Sequence, residues 1–214
     1  MAKCCDYEPE WTNIFKFEFT WRGFAKKWLK YVKMPFSRDQ SFLAGLAAHF
    51  HFNFLNLVVF VLDLPDNQLT SVNFLRKSGF ETLTNISFSN NRIQRIETNT
   101  FGRLKNLREL VLSNNKLQSL DYQAFDNLEN LRTLDLSNNR ILYLQGAQFE
   151  GQMPQLIKLD LRGNNLQSVH AAAFKGLDVL LELDLSENRL TSVSFDVFQP
   201  FMRRVVRIMV CVTN

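Results

Sequence analysis

Six asparagines recur at a spacing that suits repeated hydrogen bonding better than catalysis. They are 24 or 25 residues apart, and each follows a short run of alternating apolar residues. An asparagine amide both donates and accepts hydrogen bonds, so it can satisfy backbone groups of neighbouring segments. The sequence therefore predicts a structural asparagine ladder made of Asn67, Asn91, Asn115, Asn139, Asn164 and Asn188.

Histidines and carboxylates, the usual residues of metal and catalytic sites, are poorly placed for either. His49 and His51 would share one side of a strand, but no carboxylate or thiol is positioned to complete a metal site, and His170 is distant in sequence. Aspartates could form acid–base pairs, but no nucleophile, base or pocket accompanies them. We expect no catalytic residue, no metal and no cofactor.

Cysteines occur only at the two ends of the chain, at Cys4, Cys5 and Cys211. Their spacing fits no zinc motif, and three cysteines define no disulfide framework, so their redox state stays open. The first residues also lack the apolar core of an ordinary secretory signal.

An apolar frame repeats around each asparagine of the ladder. Its pattern is LxxLxLxxNxLxxL, and the LxL part alternates like a strand with one buried face. One such strand cannot bury its apolar face alone, so the copies must stack into a parallel sheet with a continuous core. Five copies also place a phenylalanine in the return segment: Phe101, Phe125, Phe149, Phe174 and Phe198. The sequence thus predicts an α/β solenoid of six repeats over residues 59–201.

The segment before the repeats, residues 1–58, does not follow this pattern. Alternating aromatic residues predict strands over 15–21 and 50–54, and a helical apolar face that includes Val32 predicts a basic helix over 22–33. We expect this segment to form an irregular N-terminal cap or to be a non-repeat segment that does not fold with the solenoid.

The segment after the repeats, residues 202–214, has the start of a seventh copy. A 26-residue step would place Val206, Met209, Cys211 and Asn214 in the frame. An unfinished copy would leave a sheet edge and a core face uncovered. We therefore interpret the chain as a fragment, an alternative product or an incomplete gene model.

The six copies resemble the leucine-rich repeat family, specifically its 24-residue class. That class is typical of extracellular proteins such as Toll-like receptors, small leucine-rich proteoglycans and hormone-receptor ectodomains. The resemblance implies a horseshoe with its parallel sheet on the concave face. It also implies non-catalytic recognition of a protein ligand or co-receptor, outside the cell or at its surface.

The exposed strand positions beside the buried leucines are the candidate ligand-binding sites. Aspartate there follows the class consensus and keeps the face soluble, whereas valine, lysine and arginine depart from it. We expect ligand contacts at Val111, Asp135, Lys158, Asp160, Arg162 and Asp184. Six strands would present on the order of 400 Å², less than the roughly 800 Å² that each partner buries in a standard interface. Gln148 is expected on the opposite, convex side.

Charge counts argue against a nucleic-acid partner. The net charge of +4 comes from the ends, because residues 1–58 and 202–214 each carry +3 whereas residues 59–201 carry −2. The repeats are therefore expected to lack a phosphate-binding stripe. The sequence gives no indication of the oligomeric state.

Two other functional classes stay open. The absent signal and absent cysteine-paired caps favour an intracellular interaction scaffold, so a cytoplasmic location remains an alternative. Residues 42–62 carry no charge and follow a basic stretch, which favours a membrane-anchored protein. Asn85 begins the only Asn-x-Ser/Thr sequon of the chain and is a glycosylation candidate if the chain enters the secretory pathway.

Overall fold

The chain folds as a stack of short parallel strands. The computed structural model describes the backbone of residues 31–33 and the whole of residues 60–212. The strands are β1 Tyr31–Lys33, β2 Val61–Asp63, β3 Asn85–Ser87, β4 Glu109–Val111, β5 Thr133–Asp135, β6 Tyr143–Leu144, β7 Lys158–Asp160, β8 Ser168–Val169, β9 Glu182–Leu185 and β10 Arg207–Val210.

Eight of these strands form one parallel sheet, in the order β1-β2-β3-β4-β5-β7-β9-β10, and β6 pairs with β8 in a second small sheet. The predicted solenoid of about six turns is confirmed. The return segments within residues 60–212 contain turns and two 3₁₀ helices, Asn73–Arg76 and Phe195–Phe198, and no α-helix. No helix in the described part of the chain is long and apolar enough to span a bilayer.

The repeat spacing sets the register of the sheet. Leu110 pairs with Leu134 one 24-residue repeat later, and Leu134 pairs with Leu159 across the 25-residue repeat. All three leucines are fully buried. Because side chains alternate between the two faces of a strand, this register places every LxL leucine in one core.

A stack of phenylalanines fills the return side of the core. Neighbouring rings of Phe101, Phe125, Phe149 and Phe174 lie with centroids 6.1 to 6.4 Å apart. Phe201 continues the stack at 6.0 Å from Phe174 and is 1% exposed.

The prediction that Phe198 would occupy this last position is wrong. Phe198 is only partly buried and packs against Phe201. Phe201 replaces it because the chain advances three further residues before the ring enters the core.

The extra residue of the 25-residue repeat is accommodated by buried glutamines. Gln152 Oε1 accepts a hydrogen bond from the Phe125 N–H at 3.0 Å, and Gln152 Nε2 donates to the Gln148 carbonyl at 2.8 Å. Gln148 Nε2 in turn donates to the Leu120 carbonyl at 3.3 Å. Gln148 is 3% exposed, so the prediction that it lies on the convex surface is wrong.

The N-terminal segment contributes a strand to the sheet. The backbone of β1 pairs with β2, with Val32 opposite Leu62. Val32 therefore belongs to a strand and not to the predicted helix over 22–33. The described residues do not include the strands predicted over 15–21 and 50–54. They also do not include residues 42–59 of the predicted membrane anchor, whereas Val61 and Leu62 of that anchor are in β2.

The C-terminal segment adds a strand in a register that differs by one residue from the prediction. Ile208 pairs with Leu183 and Val210 with Leu185, which is a 25-residue step. A one-residue shift exchanges the two faces of a strand. Ile208 and Val210 consequently pack on the core, whereas Val206 is 79% exposed and Cys211 is exposed.

Candidate functional site

The outward face of the large sheet, called the sheet face below, carries three columns of side chains. Alternation along each strand sends the residues beside the buried leucines outward, and the register aligns them from strand to strand. From β2 to β9, the middle column consists of Asp63, Ser87, Val111, Asp135, Asp160 and Asp184.

Three aspartates occupy successive strands of the middle column. Asp135 pairs in register with Asp160, and Asp160 pairs with Asp184. Neighbouring parallel strands are about 4.8 Å apart, so the three carboxylates form a row of like charge.

The two outer aspartates of this row are each bound by a serine. Asp135 Oδ1 accepts hydrogen bonds from the Ser137 N–H at 2.9 Å and from its hydroxyl at 2.6 Å. Asp184 Oδ1 accepts the same pair of bonds from Ser186, at 2.9 and 2.6 Å. These bonds fix both side chains to their own strands.

Asp160 differs because the serine position of its strand is Arg162. Among the described residues, its Oδ1 accepts a hydrogen bond only from the Arg162 N–H, at 2.9 Å. Burial raises the pKa of Asp160, and the neighbouring Asp135 and Asp184 raise it further, against the opposing effects of the Arg162 N–H and Lys158. Asp160 is thus the carboxylate of the row with the least support for its charge.

The two basic residues predicted as ligand contacts each approach an acid of the following turn. Lys158 Nζ lies 3.4 Å from Glu182 Oε2. Arg162 Nε lies 3.5 Å from Glu187 Oε1. All four side chains are about half exposed, and such surface ion pairs contribute little energy, so a partner can reorganise them at low cost.

Val111 and Asn85 lie on the earlier strands of the sheet face. Val111 stands between Ser87 and Asp135 in the middle column, where it gives the face an apolar position. Asn85 Nδ2 donates to Glu109 Oε2 at 2.6 Å, and Thr84 Oγ1 donates to Asn85 Oδ1 at 2.9 Å. Both Val111 and Asn85 are partly exposed.

The asparagine ladder lies beneath one edge of the sheet face. Asn139 Oδ1 accepts from the Leu117 N–H at 3.0 Å, and its Nδ2 donates to the carbonyls of Leu112 and Leu136 at 3.0 Å. Asn91, Asn115, Asn164 and Asn188 repeat this arrangement between successive turns and are similarly buried.

The first ladder position differs from the other five. Asn67 is partly buried, and its Nδ2 donates to the Pro65 carbonyl at 2.8 Å. Among the described residues, every buried side-chain nitrogen and oxygen has a hydrogen-bond partner.

The histidine positions fall in different parts of the chain. His170 Nδ1 accepts a hydrogen bond from the Ala172 N–H at 3.0 Å, and its side chain is exposed. His49 and His51 lie outside the described residues. Within residues 60–212, no group of three or more histidine, cysteine or acidic side chains is arranged to hold a metal ion.

One groove lies beside the sheet face, before β5 and β7, and no sequence motif indicates it. Its volume is about 410 Å³, and it is lined by Glu129, Asn130, Arg132, Pro154 and Gln155. Asn130 and Gln155 are 25 residues apart, the same step that pairs Leu134 with Leu159, so the repeat register brings the two sides of the groove together.

Three solved structures share this fold. The TLR13 chain of the TLR13–ssRNA13 complex is 29% identical with a TM-score of 0.65, and the match covers 71% of our chain and 21% of that chain. The chain matched in the Drosophila Toll–Spatzle complex is 24% identical with a TM-score of 0.56, covering 71% and 23%. A leucine-rich-repeat protein of Leptospira interrogans is 24% identical with a TM-score of 0.55, covering 78% and 44%.

The chain thus spans less than half the length of each of these three chains. No curated protein sequence matches it. The family model described as leucine rich repeat matches residues 81–141 and 154–202, and a second model of two such repeats matches residues 129–171. The chain belongs to the leucine-rich repeat family.

Proposed function

We propose that the chain is a non-catalytic binding module that recognises a protein partner through its sheet face, which would be the concave face of a horseshoe. The observation that carries this proposal is the row of in-register side chains from Val111 to Asp184. A regular array of outward side chains on a rigid sheet offers a surface, not an enclosed cleft, and surfaces of this kind suit macromolecules.

The chemistry of the sheet face favours a partner with basic residues at its centre. The three aspartates are adjacent, and the nearby Lys158 and Arg162 are each close to a glutamate. A partner that presents lysine or arginine to this row would gain charge-assisted hydrogen bonds. Val111 would supply an apolar contact at one end of the row.

The area of the sheet face sets a limit on the proposed interface. With β1 and β10 included, the sheet has eight strands instead of the six expected, so it presents on the order of 500 Å². A standard interface buries about 800 Å² on each partner. We therefore expect the partner to reach one flank of the solenoid as well.

Nucleic acid is the other class of partner that the comparison with solved structures raises. The TLR13 chain, at 29% identity, was solved with ssRNA, so the comparison does not support the sequence-based exclusion of nucleic acid. The acidic row nevertheless disfavours phosphate on the sheet face, since like charges would meet there. A protein partner therefore fits this surface better.

We infer an extracellular or cell-surface location from the likeness to the TLR13 structure, with an intracellular scaffold and a membrane-anchored protein as alternatives. The module boundaries 1–58, 59–201 and 202–214 remain part of this proposal. The proposal is tested by immobilising the full chain and screening it against separate arrays of secreted ectodomains and cytosolic proteins. Saturable binding of an ectodomain is expected; binding confined to cytosolic proteins would contradict the extracellular assignment.

A further inference from the structure

A second column of basic side chains runs along one flank of the solenoid, one residue after each buried asparagine of the ladder. It is called the basic flank below and consists of Arg92, Lys116, Arg140 and Arg189, with Asn165 in the fourth of its five positions. Backbone hydrogen bonds fix its spacing, since the Lys116 N–H donates to the Ile93 carbonyl and the Arg140 N–H to the Leu117 carbonyl, both at 2.8 Å. The basic flank therefore presents one positive charge in four of its five turns.

Among the described residues, no acidic side chain forms an ion pair with a charge of the basic flank. The six ion pairs among the described residues involve other cations, namely Arg76, Arg95, Arg103, Lys158, Arg162 and Lys175. Arg92, Arg140 and Arg189 are exposed and Lys116 is half-buried.

Acidic residues are scarce on the segments that carry the basic flank. The five equivalent segments 90–96, 114–120, 138–144, 163–169 and 187–193 contain a single acid, Glu187. Glu187 is already close to Arg162, at 3.5 Å. Asp66 of the preceding turn accepts a hydrogen bond from Asn90 Nδ2 at 2.9 Å, so one acid lies at the Arg92 end of the flank and positive charge predominates along the rest.

Neutral side chains suited to base contacts lie on the same segments. The exposed position two residues further along holds Gln94, Gln118 and Gln167 in three of the turns. In the middle turn, Leu142 and Tyr143 are exposed, with Tyr143 at 47%. An amide can hydrogen-bond a base edge, and an exposed aromatic ring can stack on a base.

We propose that the basic flank binds a single-stranded nucleic acid, with one phosphate at each of Arg92, Lys116, Arg140 and Arg189 and a base stacked on Tyr143. Three basic side chains on consecutive turns, followed by Arg189 two turns later, place one sign of charge along a line of about 19 Å, which fits a linear polyanion better than the irregular surface of an acidic protein. This surface is distinct from the sheet face, so the inference is independent of the proposed protein-binding function. The net charge of residues 59–201 does not show the basic flank, because the acids lie elsewhere on the same repeats.

The test uses a fluorescently labelled single-stranded RNA of about 12 nucleotides and measures its anisotropy with the full chain over a salt series. Four phosphate contacts predict a slope of log K against log salt of about −2.8. The triple variant Arg92→Gln, Lys116→Gln, Arg140→Gln should reduce the slope to about −0.7. Circular dichroism melts confirm that each variant is folded.

A charge-matched control is available on the opposite flank, where Lys105, Arg108 and Arg132 are also exposed and outside the ion pairs. Changing these three residues to Gln should leave the affinity within about twofold and the slope unchanged. Equal weakening by both triple variants would overturn the proposal, because net charge alone would then explain binding.

A second variant separates nucleic acid from other polyanions. Tyr143→Ala should weaken RNA binding about tenfold at an unchanged salt slope, because it removes stacking and no charge. No effect of this variant would overturn the proposal. Competition by heparin, polyglutamate or anionic vesicles that equals competition by unlabelled RNA would overturn it too.

Discussion

Asp160 accepts a hydrogen bond from the Arg162 N–H at 2.9 Å, whereas the aspartates on both sides of it also bind a serine hydroxyl. A single residue difference in one repeat therefore produces the least supported carboxylate on the sheet face. Asp160 lies at the centre of the acidic row and beside Lys158. This position makes it the most informative residue for tests of both stability and binding.

Replacement of Asp160 by Asn is expected to stabilise the fold at neutral pH. Burial, together with Asp135 and Asp184, raises the pKa of Asp160 in the folded state. The contribution of this carboxyl group to stability is therefore full below its unfolded pKa of about 3.9. That contribution is lost as pH rises through the folded pKa. We expect Asp160→Asn to raise the melting temperature at pH 7 by about 1–2 °C, since the half-buried carboxylate is partly screened. The gain should vanish below about pH 4; a gain independent of pH would contradict this account.

Replacement of Asn139 by Leu is expected to destabilise the solenoid by about 1–3 kcal/mol. The buried carbonyls of Leu112 and Leu136 and the Leu117 N–H would lose their partner. Chemical denaturation measures the change. Asn165→Leu is the matched control, because the Asn165 side chain has no hydrogen bond to the ladder. This variant should change the free energy of unfolding far less than Asn139→Leu. Equal effects of the two variants would refute the role of the ladder.

Truncation of Phe201 is expected to cost more than truncation of Phe198. Phe201 is 1% exposed and meets the Phe174 ring edge to face, whereas Phe198 is partly buried at the end of the core. Phe201→Ala should destabilise by about 3–5 kcal/mol because it leaves a cavity. Thermal melts of Phe201→Ala and Phe198→Ala measure the two losses of stability. A larger loss for Phe198→Ala would show that Phe198, and not Phe201, is the core phenylalanine of the last repeat.

Secretory expression is expected to attach a glycan to Asn85. The Asn85–Ile86–Ser87 sequon lies on β3 at the sheet face, away from the row Asp135–Asp184. Glycosidase digestion should shift the band of the wild type and of Ser87→Thr, which keeps the sequon. Asn85→Gln and Ser87→Ala should show no shift of the band. An unshifted wild-type band would remove the main direct support for an extracellular location.

The repeat frame was predictable because each position has one physical role. The pairing of Leu110 with Leu134 follows from a constant 24-residue period, and a buried apolar face tolerates no slip. At the C-terminus several registers offer apolar pairs, since Val205, Val206, Ile208 and Met209 are all apolar, and only packing selects the 25-residue step.

The functional surfaces were less accessible to sequence reasoning. The positions of Lys158 and Arg162 follow from the period, but their approach to Glu182 and Glu187 depends on side-chain conformation. The basic flank could have been found in the sequence by comparing the residue after each ladder asparagine. Summed charge hid it, because electrostatic potential depends on where charges lie as well as on how many there are.

The most direct test of the central claim is the affinity of a protein partner from the ectodomain screen for three forms of the chain. Asp160→Lys reverses a charge at the centre of the sheet face, and Glu150→Lys makes the same change on an exposed return segment, where only the surface ion pair with Lys175 is lost. The account predicts at least about tenfold weaker binding for Asp160→Lys, as for a central interface contact of about 1.4 kcal/mol or more, and a change below about twofold for Glu150→Lys. Equal loss in both variants, or full binding by Asp160→Lys, would contradict it.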